Sequence, residues 1–262
     1  MALRLGFDAA RALRNPTGLG SYARGVLRGL ADLGGNQLHL YSRRPPQPAF
    51  EQLHRELGAT LHLPPPGWRT AGLRDWWRTF QLGRTAATDG VELYHGLTQE
   101  LPRDIHRAGI PAVVTVADLL YLTHPHLFPA IDRASYRWRY RWSALNAGAV
   151  IAISSHTRNE VNRHFGVPLE RIVVIPPAVD RAFADEIDFD RLAAARQRLE
   201  LSRNYFIAVA TLEARKRQVA AVRALAAPAL RDATLLLVGG DGGSRAALEA
   251  EATALDVGHR VR

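Results

Sequence analysis

Short apolar segments alternate with amphipathic ones along most of the chain. The apolar segments are a few residues long and rich in Val, Ile and Leu, which is typical of strands buried on both faces of a parallel sheet. Between them, apolar residues recur at helical spacing, most clearly over 21–33. The apolar stripe of that segment contains Tyr22, Val26, Leu27, Leu30 and Leu33. The alternation predicts an α/β fold, in which helices cover a parallel sheet.

The predicted elements of the first part of the chain extend to residue 175. Its strands are 3–7, 37–41, 59–63, 91–95, 112–116, 149–153 and 171–175. Its helices are 21–33, 73–85, 131–147 and 157–165. Thr157 and Glu160 have the spacing of a capping box at the start of the last helix, whereas 64–67 and 117–129 are predicted as loops.

The segment 180–203 carries no sustained strand signal and is predicted to contain a connection between domains. After it the predicted order is strand 205–210, helix 218–226, strand 234–238 and helix 244–255, and a further strand is predicted to begin at Arg260. Two complete strands are too few for a covered parallel sheet, so we expect an incomplete second domain. The predicted domains are 1–182 and 204–262, joined by 183–203.

Composition narrows the class of protein. The 262 residues are 47% hydrophobic and 23% charged, as in a soluble globular protein, and the absence of Cys excludes disulfides, thiolate metal sites and thiol nucleophiles. No apolar run approaches the roughly 18 residues of a spanning helix, because Asp118 interrupts the longest one. The N-terminal residues lack the apolar region of a signal peptide. We therefore expect a cytoplasmic protein.

The net charge of +9 comes from 34 basic and 25 acidic residues, and Lys216 is the single lysine among the basic ones. Such a strong preference for arginine, together with abundant alanine, indicates a coding bias, so the charge is weak evidence for a nucleic-acid partner. The single lysine, Lys216, is more informative about function than the net charge, because the chain uses arginine at every other basic position.

Two segments are candidates for binding phosphate. Gly18 and Gly20 are predicted to lie in a loop between a strand and a helix, where backbone N–H groups can bind an anion, although the spacing alone favours an ordinary turn. Arg215 and Lys216 follow a predicted strand, and cations at the carboxyl end of a parallel strand suit a diphosphate. A solvated loop is the commoner explanation of such a pair, but the single lysine shifts the balance toward a ligand. No P-loop motif is present, which disfavours an ATPase of that class.

Seven segments resemble, in the same order, the characteristic segments of glycosyltransferase family 4, the group 1 glycosyltransferases. They are 7–8 with 18–22, 73–82 with 91–95, 114–119, 151–154, 172–180, 211–216 and 235–240. The most specific is Thr211-Leu212-Glu213-Ala214-Arg215-Lys216, which resembles the family's GTLEPRKN pattern. The resemblance implies a GT-B architecture, with two Rossmann-like domains facing each other across a cleft.

The resemblance also implies roles for individual residues. Arg215 and Lys216 correspond to the catalytic cations that stabilise the departing diphosphate. The expected donor-binding residues are Gly18, Gly20, Thr211, Glu213 and Gly239. The expected acceptor-side residues are His95, Asp118 and Ser154. The implied reaction moves a hexosyl group of the mannosyl or glucosyl type from a nucleotide-diphospho-sugar to a glycan or lipid-linked acceptor, with retention and without a metal or other cofactor.

The chain departs from the family pattern at Ala117, Ala178 and Ala210, where the family has His, Gly and Gly. The family's later E-x7-E segment, which holds the donor, would lie beyond residue 262, so we expect no useful rate of sugar transfer from this chain alone. The alternative to an enzyme is a truncated, non-catalytic fragment or descendant that binds a sugar, a glycolipid or a protein partner.

The helix predicted over 131–147 interleaves arginine with aromatic residues. Helical spacing places Ile131, Trp138, Trp142, Leu145 and Ala149 on its inner face. Tyr136 and Tyr140 are then predicted on the outer face, beside Arg133, Arg137 and Arg139. A solvated helix explains this face, as does peripheral contact with an anionic membrane at the inner membrane face, which we favour over nucleic acid.

Two short segments that contain histidine are the remaining candidates for metal binding or catalysis. His124 and His126 are better explained as structural loop histidines than as metal ligands. Ser154, Ser155 and His156 are better explained by helix capping than by a Ser–His dyad.

Overall fold

A computed structural model describes residues 2–68, 70–180 and 183–262. The chain divides into two compact units, Met1–Asp180 and Arg181–Arg262.

The first unit contains a seven-stranded sheet in the order β3-β2-β1-β4-β5-β6-β7, with parallel pairing throughout. The strands are β1 (Arg4–Asp8), β2 (Gln37–Tyr41), β3 (Thr60–His62), β4 (Leu93–Gly96), β5 (Ala112–Val116), β6 (Ala149–Ala152) and β7 (Ile172–Val174). All seven predicted strands are confirmed to within two residues at each end. They are recognisable in the sequence because β5, β6 and β7 are mainly apolar runs and β1, β2 and β3 alternate apolar with polar residues.

Helices cover both faces of this sheet. They are α1 (Ala10–Arg14), α2 (Gly18–Asp32), α3 (Leu53–Glu56), α4 (Ala71–Phe80), α5 (Leu82–Thr88), α6 (Leu120–Thr123), α7 (Ala130–Asn146) and α8 (Ser155–Phe165). Adjacent strand residues enter different hydrophobic clusters, Leu40 with α1 to α3 and Tyr41 with α4, α5, α7 and α8. The unit therefore has one core on each face of the sheet.

The strand order reverses between β1 and β4. The chain leaves β1 toward β2 and β3, and it returns on the other side of β1 to form β4. Where the order of a parallel sheet reverses in this way, the loops at the carboxyl ends of the strands diverge and leave a crevice that binds ligands. The carboxyl ends of β1 and β4 are Asp8 and Gly96.

Three predicted helix boundaries are wrong. Gly18–Gly20 is not a loop but the first turn of α2. The helix predicted over 73–85 is two helices, because the backbone bends at Gln81 and the Asp104 carboxylate accepts hydrogen bonds from the N–H groups of Gly83 and Arg84 at the start of α5. The cap of α8 is Ser154, whose hydroxyl accepts from the N–H of Thr157, and the predicted capping box at Thr157 and Glu160 is not formed.

The predicted faces of the long helix α7 are wrong in part, although Trp142 and Leu145 pack against the core as predicted. Ile131 and Trp138 are 79% and 59% exposed, whereas Tyr136 and Tyr140 are partly buried against the core, where both pack edge-on against Tyr121. The buried stripe continues through Ser143, Ala144 and Ala147. The predicted outer face with its two tyrosines is therefore the inner face.

The second unit contains two parallel strands, β8 (Asn204–Val209) and β9 (Ala233–Val238), and Val261 forms an isolated parallel bridge to Leu235. Its helices are α9 (Phe189–Arg198), α10 (Gln218–Ala224) and α11 (Arg245–Ala254). The segment predicted as a connection, 183–203, thus contains a helix. Across both units, no helix of the described residues combines the length and the apolar character that crossing a bilayer requires.

Candidate functional site

Three polar side chains meet at the carboxyl end of β4, next to the crevice. Thr115 Oγ1 on β5 lies 2.9 Å from His95 Nε2 on β4 and 3.1 Å from the hydroxyl of Tyr22 on α2. The ring of Phe7 on β1 packs against the imidazole, with 5.9 Å between ring centroids. The predicted acceptor-side residue His95 is therefore part of a hydrogen-bonded set, the Tyr22–Thr115–His95 relay.

The relay is uncharged at neutral pH. Burial lowers the pKa of His95 to about 4, because an imidazolium would lose its hydration there. Burial also raises the pKa of Tyr22, although its hydrogen bond to Thr115 opposes the shift. His95 is thus suited to give or accept a neutral hydrogen bond, and it is a poor general base.

Gln99, which sequence analysis missed, closes the loop after β4. Its N–H donates to the carbonyl of Thr115 over 2.9 Å, its φ is +67°, and its side chain is buried. The side-chain oxygen has no hydrogen-bond partner among the described residues. A left-handed backbone and an unpaired buried oxygen both cost free energy, and such costs concentrate at functional sites. No glycine marks this position in the sequence, so no turn signal indicated it.

A network of partly buried ion pairs fixes the loop that follows β4. Arg78 on α4 contacts Asp8 over 2.5 Å and Glu100 over 2.7 Å, and Glu100 also accepts from Arg139 on α7 over 3.0 Å. Burial alone would lower the pKa of Arg78, but the two carboxylates outweigh it and raise that pKa. A cavity of about 20 Å³, the size of one water, lies among these side chains. The charges neutralise each other, which indicates a positioning role for the network.

The other two predicted acceptor-side residues have local roles. Asp118 is exposed and accepts a hydrogen bond from the N–H of Leu120 at the start of α6, while Ser154 caps α8. Thr157, next to Ser154, donates to the carbonyl of Ala117 over 3.1 Å. No hydrogen bond among the described residues joins Asp118 or Ser154 to the relay. The three predicted residues lie at or just after the carboxyl ends of the adjacent strands β4, β5 and β6.

Close backbone packing requires a glycine at position 20 but not at position 18. A Cβ at Gly20 would lie 1.8 Å from the carbonyl oxygen of Asn15, so close backbone packing explains this glycine. A Cβ at Gly18 would meet no atom within 4 Å. The first turn of α2 has no side-chain cap, which leaves its N–H groups available to an anion.

In the second unit, the loops after β8 and β9 run side by side. Leu212 donates its N–H to the carbonyl of Gly240, and Gly242 donates in turn to the carbonyl of Leu212, each over 2.9 Å. A Cβ at Gly239 would lie 1.9 Å from the carbonyl oxygen of Ala210, so only glycine allows this approach. Thr211 and Gly239, both predicted donor-binding residues, are thereby adjacent at the carboxyl ends of two parallel strands.

The two predicted cations differ in their environment. The Arg215 guanidinium lies 2.6 Å from the Glu213 carboxylate, so much of its charge is compensated. Lys216 is exposed and makes no ion pair within the described part of the chain. The buried amide of Gln218 donates to the carbonyl of Thr211 over 2.9 Å and fixes the loop that carries them. Lys216 is thus a cation at this strand end that no ion pair among the described residues compensates, as is the neighbouring Arg217.

The geometry defines a class of protein. Parallel α/β sheets bind ligands outside the carboxyl ends of their strands, where the strand order reverses, and both units present polar or cationic groups at such strand ends. The sequence profile of Glycosyltransferase Family 4 matches residues 16–183. This match covers more than half of the chain, and the chain belongs to that family of glycosyltransferases.

Solved structures agree with this assignment of the fold. The Anabaena protein HepE in complex with UDP-glucose matches with a TM-score of 0.73 and 20% identity over 100% of this chain and 68% of its own. A glycosyltransferase from Rickettsia africae ESF-5 matches with a TM-score of 0.69 and 13% identity, over 100% and 67%. WaaG, a glycosyltransferase involved in lipopolysaccharide biosynthesis, matches with a TM-score of 0.67 and 18% identity, over 98% and 69%. No curated protein sequence is significantly similar to the chain.

Proposed function

We propose that this glycosyltransferase takes a hexosyl group, of the mannosyl or glucosyl type, from a nucleotide-diphospho-sugar. The observation that carries the proposal is Lys216, the single lysine of the chain, which lies without an ion-pair partner among the described residues in the segment that resembles the family's diphosphate clamp. The likeness of the fold to HepE, whose structures contain UDP and UDP-glucose, supports a uridine nucleotide as the first donor to test.

The slow step of such a reaction separates a positively charged sugar from a departing diphosphate. Lys216 and Arg215 stabilise the negative charge that grows on the phosphates, and each electrostatic contact of this kind is worth a few kcal/mol in a dry site. Backbone N–H groups of the loop around Gly239 supply further dipoles toward the anion. We propose retention at the anomeric carbon and catalysis without a metal, since amides and cations take the place of a divalent ion.

The proposed acceptor is a glycan or a lipid-linked glycan, which places the enzyme in glycan biosynthesis in the cytoplasm. His95 lies next to the crevice at the carboxyl ends of β1 and β4, where an acceptor hydroxyl has access to a neutral hydrogen-bonding group. We assign Asp118 and Ser154 lesser roles on the acceptor side, because Asp118 already accepts a hydrogen bond from the N–H of Leu120 and Ser154 already caps α8.

Calorimetric titration of the full chain with UDP tests the donor assignment. We expect UDP to bind and Lys216→Ala to weaken binding about tenfold or more, because the variant loses a charge-assisted hydrogen bond to phosphate. Arg215→Ala should have a smaller effect, since Glu213 already compensates its charge. Binding should be the same in the presence of EDTA.

The matched control is Arg231→Ala, which removes one positive charge from a highly exposed side chain of the same unit. This variant should bind UDP as the wild type does. Absence of UDP binding, or an equal loss of affinity in Lys216→Ala and Arg231→Ala, would contradict the assignment.

We further propose peripheral contact with an anionic membrane, through a surface different from the predicted one. The α4–α7 surface consists of Leu73, Trp76, Phe80, Ile131 and Trp138, which are all exposed. Arg103 joins the α4 side of this surface to the α7 side. The backbone N–H of Arg103 donates to the carbonyl of Thr79 on α4, and the Arg103 guanidinium lies 3.5 Å from the ring centroid of Trp138 on α7. Arg137 and Arg141 are exposed on α7. Aromatic and aliphatic groups beside arginines suit a negatively charged lipid surface.

Flotation with phosphatidylcholine vesicles, with and without phosphatidylglycerol, tests this contact. We expect binding to the anionic vesicles only, and a loss of most of it in the double variants Trp76→Ser/Trp138→Ser and Arg137→Gln/Arg141→Gln. The control Arg55→Gln/Arg231→Gln makes the same change of charge elsewhere and should float as the wild type does. Binding that ignores lipid charge, or that survives both test variants, would exclude this surface.

A further inference from the structure

The hydroxyl of Thr115 has two hydrogen-bonding partners and a single proton. The hydroxyl of Tyr22 lies 3.1 Å away from it, and Nε2 of His95 lies 2.9 Å away. Thr115 is only 1% exposed, so water does not complete its hydrogen bonds. The hydroxyl can donate only one hydrogen bond but its oxygen can accept two, and the arrangement of these protons decides which ring nitrogen of His95 carries the proton.

In one direction Tyr22 donates to Thr115, and Thr115 donates to Nε2 of His95. Both hydroxyl protons are then used, and the imidazole carries its own proton on Nδ1. In the reverse direction His95 donates through Nε2–H, Thr115 donates to Tyr22, and the phenolic proton has no acceptor among the described residues. In a third arrangement both Tyr22 and Nε2–H of His95 donate to Thr115, whose own buried proton then has no acceptor among the described residues. An unpaired donor in a partly buried place is costly, so the first direction has the lowest free energy.

One backbone hydrogen bond and one ring contact keep the relay in place. The N–H of Gln99 donates to the carbonyl of Thr115, and the ring of Phe7 packs on the imidazole of His95. Gln99 adopts its left-handed backbone to make this hydrogen bond. The described residues offer no hydrogen-bond partner to Nδ1 of His95, and β4, which carries His95, lies on one side of the switch point of the sheet.

We propose that Tyr22 and Thr115 hold His95 in the Nδ1–H tautomer, and that this N–H donates a hydrogen bond to a hydroxyl or ether oxygen of the acceptor sugar. Tyr22 and Thr115 are then positioning residues, and His95 is a specificity-determining one. A neutral donor suits the uncharged oxygens of a sugar, whereas a phosphate would favour a cation. The identity of the ligand rests on the proposed function, but the tautomer does not.

Long-range 1H–15N correlation spectra of the full chain at neutral pH test the tautomer directly. His95→Gln identifies the His95 signals by their loss. We expect the wild type to be protonated on Nδ1, and Tyr22→Phe and Thr115→Val to shift toward Nε2–H, the form that free imidazole side chains favour in water. Thr115→Ser keeps the hydroxyl and should keep Nδ1–H.

Tyr121→Phe is the matched control, because it removes the hydroxyl of a buried tyrosine that lies outside the relay. It should leave the His95 signals unchanged. An Nε2–H tautomer in the wild type, or an unchanged tautomer in both Tyr22→Phe and Thr115→Val, would overturn the proposal.

Titration with methyl α-D-glucopyranoside tests the ligand part of the proposal with the same spectra. The sugar should shift the Nδ1 signal of His95, and Tyr22→Phe should bind it about tenfold more weakly, as expected for one hydrogen bond. A titration that leaves the His95 signals unmoved would overturn this part. If UDP still binds with its dependence on Lys216, the proposed donor chemistry stands even though this inference has failed.

Discussion

At the scale of single residues, His95 shows how burial fixes the protonation state of a side chain and thereby its chemical role. A histidine in water is half protonated near neutral pH, but this one is enclosed by Phe7 and Thr115 and stays neutral well below that pH. The residue type was predictable from the strand-end motif, since His95 closes a segment that resembles the family. Its partners Tyr22 and Thr115 were not, because hydrogen bonds between α2, β4 and β5 leave no spacing pattern in the sequence.

The lowered pKa of His95 predicts a pH dependence of stability. The unfolded chain takes up a proton at His95 below about pH 6.5, whereas the folded chain does so only near pH 4. The unfolded state therefore binds more protons in this window, and the free energy of unfolding falls as the pH falls from about 6.5 toward 4. His95 alone should remove about 2 kcal/mol at about pH 5.

Urea unfolding of the wild type and of His95→Gln, at neutral pH and at about pH 5, measures this contribution. His95→Gln should lose about 2 kcal/mol less than the wild type between the two conditions. His156→Gln removes an exposed histidine and should show the wild-type loss. Equal losses in all three proteins would show that His95 titrates normally in the folded state.

At the scale of secondary-structure elements, the strands were easier to predict than the helices. The strands β5, β6 and β7 are mainly apolar runs, whereas β1, β2 and β3 alternate apolar with polar residues, and both patterns follow from burial. The break at Gln81 depends on Asp104, a residue distant in the sequence whose carboxylate caps α5. The sequence alone carries no sign of that contact, and a continuous helix was the natural expectation.

The orientation of α7 was mispredicted for a related reason. Placing the largest apolar residues inside puts Ile131 and Trp138 in the core, but tyrosines also pack well when their rings meet other aromatic rings. Tyr136 and Tyr140 surround Tyr121, and Trp138 stays at the surface, stacked against Arg103. The arginines of the helix did not show which face is exposed, because an arginine side chain can pack on an aromatic ring as well as extend into water.

At the scale of the whole molecule, the sequence predicted an α/β chain that begins a second parallel sheet, and the structure has two compact units. The order of strands in the first sheet, with its reversal between β1 and β4, appears only in the structure. This reversal explains why polar groups gather at the end of β4. The net charge of +9 becomes informative about a binding partner only on the α4–α7 surface, where arginines lie beside exposed apolar groups.

The central claim is that a nucleotide diphosphate binds at the carboxyl ends of β8 and β9. Hydrogen–deuterium exchange of the full chain, with and without saturating UDP, locates the bound nucleotide directly. Bound phosphates that accept hydrogen bonds from backbone N–H groups slow the exchange of those groups. We predict slower exchange over 211–217 and 239–245, and a smaller effect in Lys216→Ala at the same UDP concentration. Unchanged exchange in both of these loops would contradict the claim.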